Sequence, residues 1–538
     1  MPFALVTICC AFAALGSFLF GYDSGIISSS IAQDDFEQEF KGQLNDASTG
    51  GIVSAFTGGA IIGSLAVSYL SDIHGRRIAI LVGGVLATLG AALQGAASTI
   101  AMLIVGRFIA GVAIGLMSAT IPVYCSEIAP PSIRGLLGGM QQWMIGWGFF
   151  TAVCLQLIKF SPLKLLHVTA TGAKATGIQR LTLFSPYQQW VGFGCSHAKT
   201  SFSWRFPLSL QAIPAIILVC GALFLPESPR WLIEHGQSRD GHDVLARLYS
   251  NRRHPNTSLI DQEYKRICET ITTEQRESSK SWSEILIKNP SWRYRILLAA
   301  GIQALTQCSG VNVIQYYGPR LYATLGFSTS RSLMIIGISG ALAQTWNTLC
   351  LFLIDRIGRR KLLIPSLVGM GATLCVEATL SRYFDPDSST NWHALRSAVA
   401  MYFVFSIFFT PLGVLSWIYP AEIFSTPIRA RGTSVSTFVN WSFNLLFAQC
   451  APIGLSQLEY RFFYCFVAFN WVGAAMVWLW YPETIGKPLE EVEDVFANGD
   501  LASRVNRMKN VLAIGNRGQR ESVMLSSSGL VEERKVPV

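Results

Sequence analysis

Asp23 and Arg107 lie inside apolar segments of this chain and are the first candidates for chemistry. Asp23 precedes the end of the apolar segment 3–30 by seven residues, and Arg107 follows the start of the segment 100–122 by seven. At 1.5 Å per helical residue, both would lie roughly 10 Å deep if these segments span a membrane. A proton taken up by Asp23 would then release Arg107 and change the favoured conformation. The alternative is a static ion pair that only pins two helices together.

Amide side chains recur on other apolar segments at helical spacing. Gln303 and Gln307 are one turn apart and are followed by Ser309-Gly310 and then Asn312, which predicts a discontinuous helix of the kind that holds substrates in transporters. Amides offer donors and acceptors to hydroxyl groups, and indole rings pack against the apolar faces of a sugar ring. The pattern predicts a neutral, polyhydroxylated ligand, although each residue alone could merely join helices. The candidate binding residues are Gln142, Gln303, Gln307, Asn312, Trp417, Asn440, Trp441 and Asn444.

Three short strings occur twice and in the same order, which indicates an internal duplication. They are Asp-x-x-Gly-Arg-Arg, then Tyr-x-x-Glu-Ile-x-x-x-x-Ile-Arg, then Pro-Glu-Ser or Pro-Glu-Thr. Repeats of this kind are typical of transporters built from two homologous helix bundles. The copies occupy residues 72–77 and 355–360, 124–134 and 419–429, and 226–228 and 482–484.

The repeated strings place acids and arginines at the same end of the helices in both halves. Ion pairs among them would hold that end shut and would have to break for it to open. Anchoring by positive charge on the inner side would explain the arginines but not the acids. The predicted gating network consists of Asp72, Arg76, Glu127, Arg134, Glu227, Arg230, Asp355, Arg359, Glu422, Arg429 and Glu483.

Composition fixes the class of protein. Of 538 residues, 14% are charged and 51% apolar, against about a quarter charged in soluble domains. The expected fold is an all-α membrane protein whose twelve transmembrane helices form two pseudo-symmetric six-helix bundles. The predicted spans are 3–30, 51–71, 78–97, 100–122, 137–157, 206–225, 295–322, 332–354, 362–380, 398–419, 433–455 and 461–481.

Charge distribution predicts the topology. The short basic loops fall on one side of the twelve spans, which the positive-inside rule assigns to the cytoplasm together with both termini. The net charge of +9 comes without a basic stripe bearing interleaved aromatics, so no nucleic-acid partner is expected. Phosphate loops, zinc helices and nucleophile elbows are missing from the sequence, which argues against an enzyme and against a cofactor or metal.

Four regions follow from these patterns. The predicted domains are an N-terminal bundle at 1–226, a cytosolic helical linker at 227–294, a C-terminal bundle at 295–482 and a largely disordered tail at 483–538. The stretch from Arg134 to Pro226 is much longer than the matching stretch from Arg429 to Pro482, so the first half carries an insertion at 159–189. The insertion is basic and without acids. It is an adaptive outer loop, an error of gene annotation, or a segment that disables the fifth span.

The chain resembles a sugar porter of the major facilitator superfamily, most closely the fungal members. The resemblance implies that Gln142, Gln303, Gln307, Asn312, Trp417 and Asn440 contact the sugar, that Tyr316 helps close the outer gate and that Asp23 is the protonation site. Thr306 and Ala343 depart from the family pattern, which has amides there. The matching motifs lie at 20–23, 72–77, 106–107, 127–135, 226–232, 307–312, 316–317, 355–360, 422–432, 440–441 and 482–484.

The expected function is transport of a monosaccharide or related polyol by alternating access, with a proton as the co-transported ion. An uncoupled sugar facilitator and a transport-inactive sugar sensor on the same fold are the alternatives. The expected partners are the sugar or polyol, the proton and the lipid bilayer of the plasma membrane. The chain is expected to act as a monomer.

Overall fold

Long apolar runs with few helix breakers fold into the helices of this protein, as described by a computed structural model. The helices stop where glycine, proline or charged residues interrupt the runs. The structure describes residues 4–31, 34–42, 46–160, 201–249, 257–277, 290–315, 329–384, 392–424 and 428–485. The predicted outer gate at Tyr316, most of the predicted insertion and nearly all of the predicted tail lie outside the described residues.

The first half is built from nine described helices, α1 to α9. Its first predicted span is formed by α1 and α2 in succession, and its sixth by α8 and α9. The bounds are α1 Ala4–Ala13, α2 Leu15–Ile31, α3 Asp34–Glu39, α4 Asp46–His74, α5 Arg76–Gly95, α6 Ile100–Ile128, α7 Arg134–Phe160, α8 Phe202–Leu210 and α9 Ala212–Ala222.

Three described helices of the linker precede the second half, which has six described long helices. The linker helices are α10 Pro229–Glu234, α11 Ser238–Tyr249 and α12 Thr257–Glu277. The second half consists of α13 Pro290–Cys308, α14 Thr329–Ile357, α15 Arg359–Tyr383, α16 Trp392–Ile423, α17 Arg429–Gln457 and α18 Arg461–Trp480.

All twelve predicted spans correspond to helices. Within the described residues, ten helical stretches are long and apolar enough to cross a membrane. The remaining two spans are α7 and α17, which are 27 and 29 residues long and therefore also reach across a bilayer. Both carry amides, such as Gln142 and Asn440.

The helices pack as two bundles with separate apolar cores. In the first, α6 packs against α4 and α5, and α2 packs against α7; in the second, α15 packs against α16 and α18, and α13 against α17. The linker helices α11 and α12 add Leu245 and Ile267 to the core of the first bundle. The bundles meet along α4 with α17 and along α7 with α14, which are equivalent contacts in the duplicated framework.

A glycine turn in the first repeated string fixes where α5 begins. Gly75 has φ +94, and a Cβ added there would clash with the Oε2 atom of Glu227. This carboxylate accepts hydrogen bonds from the backbone N–H groups of Arg76 at 2.9 Å and Arg77 at 3.1 Å. An acid is favoured there because the first N–H groups of a helix are unpaired and carry partial positive charge.

The same device recurs at the start of α15. Gly358 has φ +104, and the carboxylate of Glu483 accepts from the backbone N–H groups of Arg359 at 2.8 Å and Arg360 at 3.1 Å. The acid of the third repeated string therefore caps the helix that the first string begins, in both halves. The two strings lie far apart in sequence, and this contact explains why they occur together.

Candidate functional site

A cavity of about 180 Å³ lies between the two bundles. The first bundle lines it with α2 and α7, and the second with α14, α16, α17 and the broken end of α13. The break follows α13 at Ser309-Gly310, where Gly310 has φ +94, and a short helical segment resumes at residues 311–315. A side chain with a Cβ is strained at such a positive φ, which explains the glycine. The predicted discontinuous helix is therefore present and faces the cavity.

Four amides of the second bundle form one hydrogen-bonded cluster on the cavity wall. Gln307 donates from Nε2 to Oδ1 of Asn440 at 2.6 Å, and its Oε1 accepts from Nδ2 of Asn312 at 2.6 Å and of Asn444 at 3.4 Å. All four side chains are buried and line the cavity. Each amide nitrogen has two hydrogens, so the cluster keeps donors beyond those that it uses internally. Hydroxyl groups of a bound solute could join or replace these bonds.

An indole and an amide join the two bundles at the opposite wall. Trp417 of α16 donates from Nε1 to Oε1 of Gln142 on α7 at 3.2 Å, and both residues line the cavity. Its neighbour Gln141 points elsewhere and donates to the backbone oxygen of Ser118 at 3.0 Å. Of the two adjacent glutamines, Gln142 is thus the one that faces the cavity.

Two of the predicted binding residues do not line the cavity. Gln303 donates to the backbone oxygen of Ser416 at 2.9 Å, one turn further into the second bundle. Trp441 is fully buried, packs against Phe20 and Phe56, and donates to the Ser118 hydroxyl at 3.3 Å. Both therefore join helices in this conformation, whereas Gln142, Gln307, Asn312, Trp417, Asn440 and Asn444 face the cavity.

Asp23 and Arg107 form an ion pair within the first bundle. The NH1 atom of Arg107 lies 3.1 Å and 3.0 Å from the two carboxylate oxygens of Asp23, and each residue is at most 2% exposed. Arg107 also donates from Nε to the backbone oxygen of Ile52 at 3.1 Å and lies over the ring of Phe56. Ser24, the residue after Asp23, lines the cavity. The pair is therefore one residue removed from the cavity along α2.

Two buried glutamines beside this pair were not recognised from the sequence. Gln94 on α5 and Gln211 before α9 are close enough to influence the Asp23 carboxylate. They place two buried amides beside the ion pair.

The strongest ion pairs of the predicted gating network each lie within a single bundle. In the first bundle, Arg76 forms a bidentate pair with Glu127, with both nitrogen–oxygen distances at 3.1 Å. In the second, Arg359 forms the equivalent pair with Glu422, at 3.1 Å and 2.7 Å. Such fork-shaped pairs are geometrically specific and stronger than single bonds. They hold helix ends together within each bundle.

Other contacts of this network cross between the bundles at the arginine-rich end, meaning the end that carries Arg76 and Arg359. Arg429 reaches Glu127 at 3.4 Å, and Arg431 reaches Asp72 at 3.8 Å. The carboxylate of Asp355 accepts from the backbone N–H of Leu136 at 2.9 Å. These contacts join the two bundles at this end.

The remaining predicted members of the network take other positions. Arg134 is buried at the start of α7 and donates to the backbone oxygen of Ala129, while Arg230 is buried in α10. Glu227 and Glu483 serve mainly as helix caps, which the sequence did not reveal. Burial raises the pKa of Glu227, although the hydrogen bonds that it accepts from backbone N–H groups act in the opposite direction.

A further buried acid was missed from the sequence. Glu377 on α15 is 2% exposed and accepts hydrogen bonds from the hydroxyls of Tyr402 at 2.7 Å and Ser381 at 3.0 Å. It lies only three residues from the predicted end of its span at residue 380, and a charged residue near the end of a span is not unusual. The helix continues to Tyr383, which places Glu377 about 9 Å inside the helix end.

Comparison with known proteins assigns the chain to a family. The model of the family "Sugar (and other) transporter" matches residues 9–161 and 185–496. Residues 162–184 are left unmatched, and they lie inside the predicted insertion at 159–189.

Two curated relatives illustrate the similarity. The chain is 35% identical to the MFS-type transporter criB of Aspergillus cristatus, over 95% of this chain and 97% of the relative. It is 29% identical to a high-affinity glucose transporter of Kluyveromyces lactis, over 91% of this chain and 85% of the relative.

A solved structure shares the fold. The proton:xylose symporter XylE bound to 6-bromo-6-deoxy-D-glucose superposes with a TM-score of 0.74 at 22% identity, covering 92% of this chain and 99% of that one. The inward-open conformation of XylE from E. coli gives a TM-score of 0.60 at 22% identity, covering 91% of this chain and 99% of that one. The duplicated bundles, the cavity between them and the match to the family model along most of the chain lead to one conclusion: this multi-pass membrane protein belongs to the sugar transporter family of the major facilitator superfamily.

Proposed function

We propose that this protein transports a monosaccharide or related polyol across a membrane by alternating access, in symport with protons. The observation that carries the proposal is the cluster of four amides centred on Gln307, in a cavity between the two halves. Its volume of about 180 Å³ is below the roughly 300–1,000 Å³ typical of sites for drug-sized ligands. A single sugar ring is a solute of suitable size and polarity.

The cavity offers both kinds of contact that a sugar requires. The amides of Gln307, Asn312, Asn440 and Asn444 supply donors and acceptors for hydroxyls, and the indole of Trp417 supplies an apolar face for the ring. Binding sites that hydrogen-bond a substrate hydroxyl discriminate strongly against analogues that lack it, because the buried partner is then left unpaired. The amide cluster is therefore suited to selecting a polyhydroxylated solute.

The Asp23–Arg107 pair supports proton coupling. Both side chains are buried, so a proton on Asp23 removes the charge that holds Arg107 and alters the contacts of α2 with α6. Because α2 also contributes Phe20 and Ser24 to the cavity, this change can be transmitted to the solute. XylE, which shares the fold, is named a proton:xylose symporter.

The arginine-rich end acts as the gate on the cytoplasmic side, as the positive-inside rule assigns it. Arg429–Glu127 and Arg431–Asp72 hold the bundles together there and have to separate for the cavity to open inward. Two such contacts are weak enough to break in a transport cycle, which suits a two-state element. We further propose that both termini are cytoplasmic and that the chain acts as a monomer in the plasma membrane.

Uptake of labelled solutes tests the proposal. Cells lacking their own hexose transporters would express the full chain and be given a panel of labelled monosaccharides and polyols, with and without a protonophore. Saturable uptake of at least one panel member, with accumulation abolished by the protonophore, is expected. Uptake that persists unchanged with the protonophore would identify an uncoupled facilitator, and no uptake by a surface-localised protein would favour a sugar sensor.

The Asp23→Asn variant tests the coupling residue. It should lose uphill accumulation and keep exchange of labelled for unlabelled solute, because the amide retains the shape of the carboxyl but cannot release a proton. Asp243→Asn is a matched control, since Asp243 is an exposed linker acid. Full accumulation by Asp23→Asn would contradict the assigned role.

A second candidate function is transport of a less polar ring compound. Four phenylalanines line the cavity beside the amides, namely Phe20, Phe149, Phe405 and Phe409. The name of the criB relative specifies no solute, and Thr306 contributes a hydroxyl where sugar porters commonly have an amide. Failure of every sugar in the panel, combined with uptake of a labelled aromatic glycoside or cyclic alcohol, would favour this candidate.

A further inference from the structure

The second bundle contains a buried acid that the proposed mechanism does not use. One carboxylate oxygen of Glu377, Oε1, accepts from Tyr402 and Ser381, while Oε2 is buried without a hydrogen-bond partner. An unpaired charge at this depth in a span costs about 2.5–3.5 kcal/mol on insertion scales. Intramembrane acids retained at such cost are by default candidates for a functional site.

The duplication relates this acid to the ion pair of the first bundle. In the first half, Gln94 follows Arg76 along α5. In the second, Glu377 follows Arg359 along α15 by the same number of positions. Because Arg76 and Arg359 are matching members of the first repeated string, Gln94 and Glu377 occupy equivalent positions in their repeats.

Arg107 and Tyr402 also occupy equivalent positions in the two repeats. Arg107 precedes Tyr124, the start of the second repeated string, by as many positions as Tyr402 precedes Tyr419 in the other copy. The polar cluster that surrounds Asp23 in the first bundle therefore has a counterpart in the second, with an acid and a phenol in place of an amide and a guanidinium.

Tyr402 connects this acid to the solute cavity. Its hydroxyl donates to Glu377 at 2.7 Å, and the residue is one of those that line the cavity. Ser381, the other donor to Glu377, is not among the lining residues. A carboxyl group beneath the cavity wall is thus linked to that cavity by a single hydroxyl.

The groups around Glu377 leave it without a counter-charge in the described part of the chain. From α16 it meets Tyr402, and from its own helix it meets Ser381. On α18, the Tyr464 hydroxyl lies 3.2 Å from that of Thr379, which is two residues from the acid. Two cations of α15 and α18 have other contacts, since Arg382 lies over the ring of Tyr383 and Arg461 over that of Tyr460.

We propose that Glu377 is a second proton-binding site of this transporter, which exchanges its proton with the central cavity through the hydroxyl of Tyr402. In proton uptake, a hydronium ion in the cavity gives a proton to the Tyr402 oxygen as the Tyr402 hydroxyl proton passes to Oε1 of the Glu377 carboxylate, which leaves water, a neutral phenol and a protonated carboxyl group. The return path is the reverse. This site adds to the Asp23–Arg107 pair and does not replace it.

Infrared difference spectroscopy on the full chain in lipid nanodiscs tests the proposal directly. A pH jump from mildly acidic to mildly alkaline should remove a protonated-carboxyl absorption that is missing in Glu377→Gln and present in Asp23→Asn. The readout requires no sugar, so it fails or succeeds independently of the proposed transport function. An unchanged difference spectrum in Glu377→Gln would overturn the proposal.

Variants of Tyr402 and Ser381 test the route of proton exchange. Tyr402→Phe keeps the carboxyl and deletes the hydroxyl, and it should slow the appearance of the carboxylate after the jump by about tenfold. Ser381→Ala is the matched control, because it removes the other donor to the same oxygen and should leave the rate within about twofold. Equal rates in Tyr402→Phe and the parent protein would refute the route through Tyr402.

Discussion

The two bundles repeat the same framework but place their intramembrane acids differently. In the first, Asp23 on α2 is held by the guanidinium of Arg107; in the second, Glu377 on α15 is held by the hydroxyls of Tyr402 and Ser381. A carboxylate beside a guanidinium is stable as an ion, whereas a carboxyl beside hydroxyls has no charge to balance it. Duplication has thus conserved the helix ends and the caps, while the chemistry inside the spans has diverged.

The same contrast holds at the cavity. The second bundle supplies the four-amide cluster, whereas the first supplies Gln142 and Ser24 as its polar lining. The polar lining of the cavity is therefore concentrated in the second half, and the Asp23–Arg107 ion pair lies in the first.

The largest expected effect is loss of the guanidinium in the first bundle. Arg107→Gln should destabilise the protein by about 3–5 kcal/mol, because it leaves the buried Asp23 charge uncompensated. Tyr402→Phe at the equivalent position should cost only about 1 kcal/mol, the worth of one hydrogen bond. Thermal unfolding of the two purified variants at neutral pH measures the difference, and equal losses would break the comparison.

Neutralising Asp23 provides the control for that difference. The double variant Asp23→Asn, Arg107→Gln should regain part of the stability that Arg107→Gln loses, because no unpaired carboxylate remains. No recovery in the double variant would indicate that the loss came from packing of the Arg107 stem.

A smaller effect is expected from substitutions in the cavity, where solute binding would be weakened. Gln307→Leu should weaken binding of a solute selected in the uptake panel by about 30-fold, since Gln307 is the centre of the amide cluster and about 2 kcal/mol of hydrogen bonding is lost. Gln142→Leu in the first bundle should weaken it by about fivefold. Apparent dissociation constants of the purified variants provide the measurement. A stronger effect of Gln142→Leu would reverse the assigned roles of the two halves.

The smallest expected effect distinguishes Glu127 from its equivalent in the second bundle, Glu422, at the arginine-rich end. Glu127→Gln removes the partner of both Arg76 and Arg429 and should loosen the contact between bundles by about 1.4 kcal/mol, or tenfold in opening. Glu422→Gln affects Arg359 and Thr484 within one bundle and should not open the interface. Amide hydrogen exchange over residues 129–139 reports the opening, because the Leu136 N–H contacts Asp355 across the interface. Equal exchange in the two variants would contradict the assignment.

Much of this organisation was accessible from the sequence, because it depends on local patterns. Apolar runs of spanning length predicted the twelve helices, and the repeated strings predicted two equivalent halves. Ser309-Gly310 predicted the broken helix, since a glycine at positive φ interrupts helical hydrogen bonding. The pairing of Asp23 with Arg107 was predicted from equal depth and opposite charge. The roles assigned to these residues in transport remain predictions.

The direction in which a side chain faces around its helix was harder to predict from the sequence. Gln303 is one turn from Gln307 and Trp441 directly follows Asn440, yet both face other helices. Glu377 was missed because the apolar run that predicted its span ends three residues after it, whereas the helix continues to Tyr383. Glu227 and Glu483 looked like partners for arginine side chains and proved to be helix caps, which depends on segments distant in sequence.

The sequence by itself determined the number of spans, the duplication and the residue types available for binding and charge pairing, because these follow from hydropathy and from repetition along the chain. The tertiary structure decided which of those residues share a cavity and which ion pairs cross between the bundles. It also revealed that a phenol of one helix connects a buried carboxyl of another to the solute space. Such relations depend on how helices rotate and pack against one another, and residue order constrains that packing only weakly.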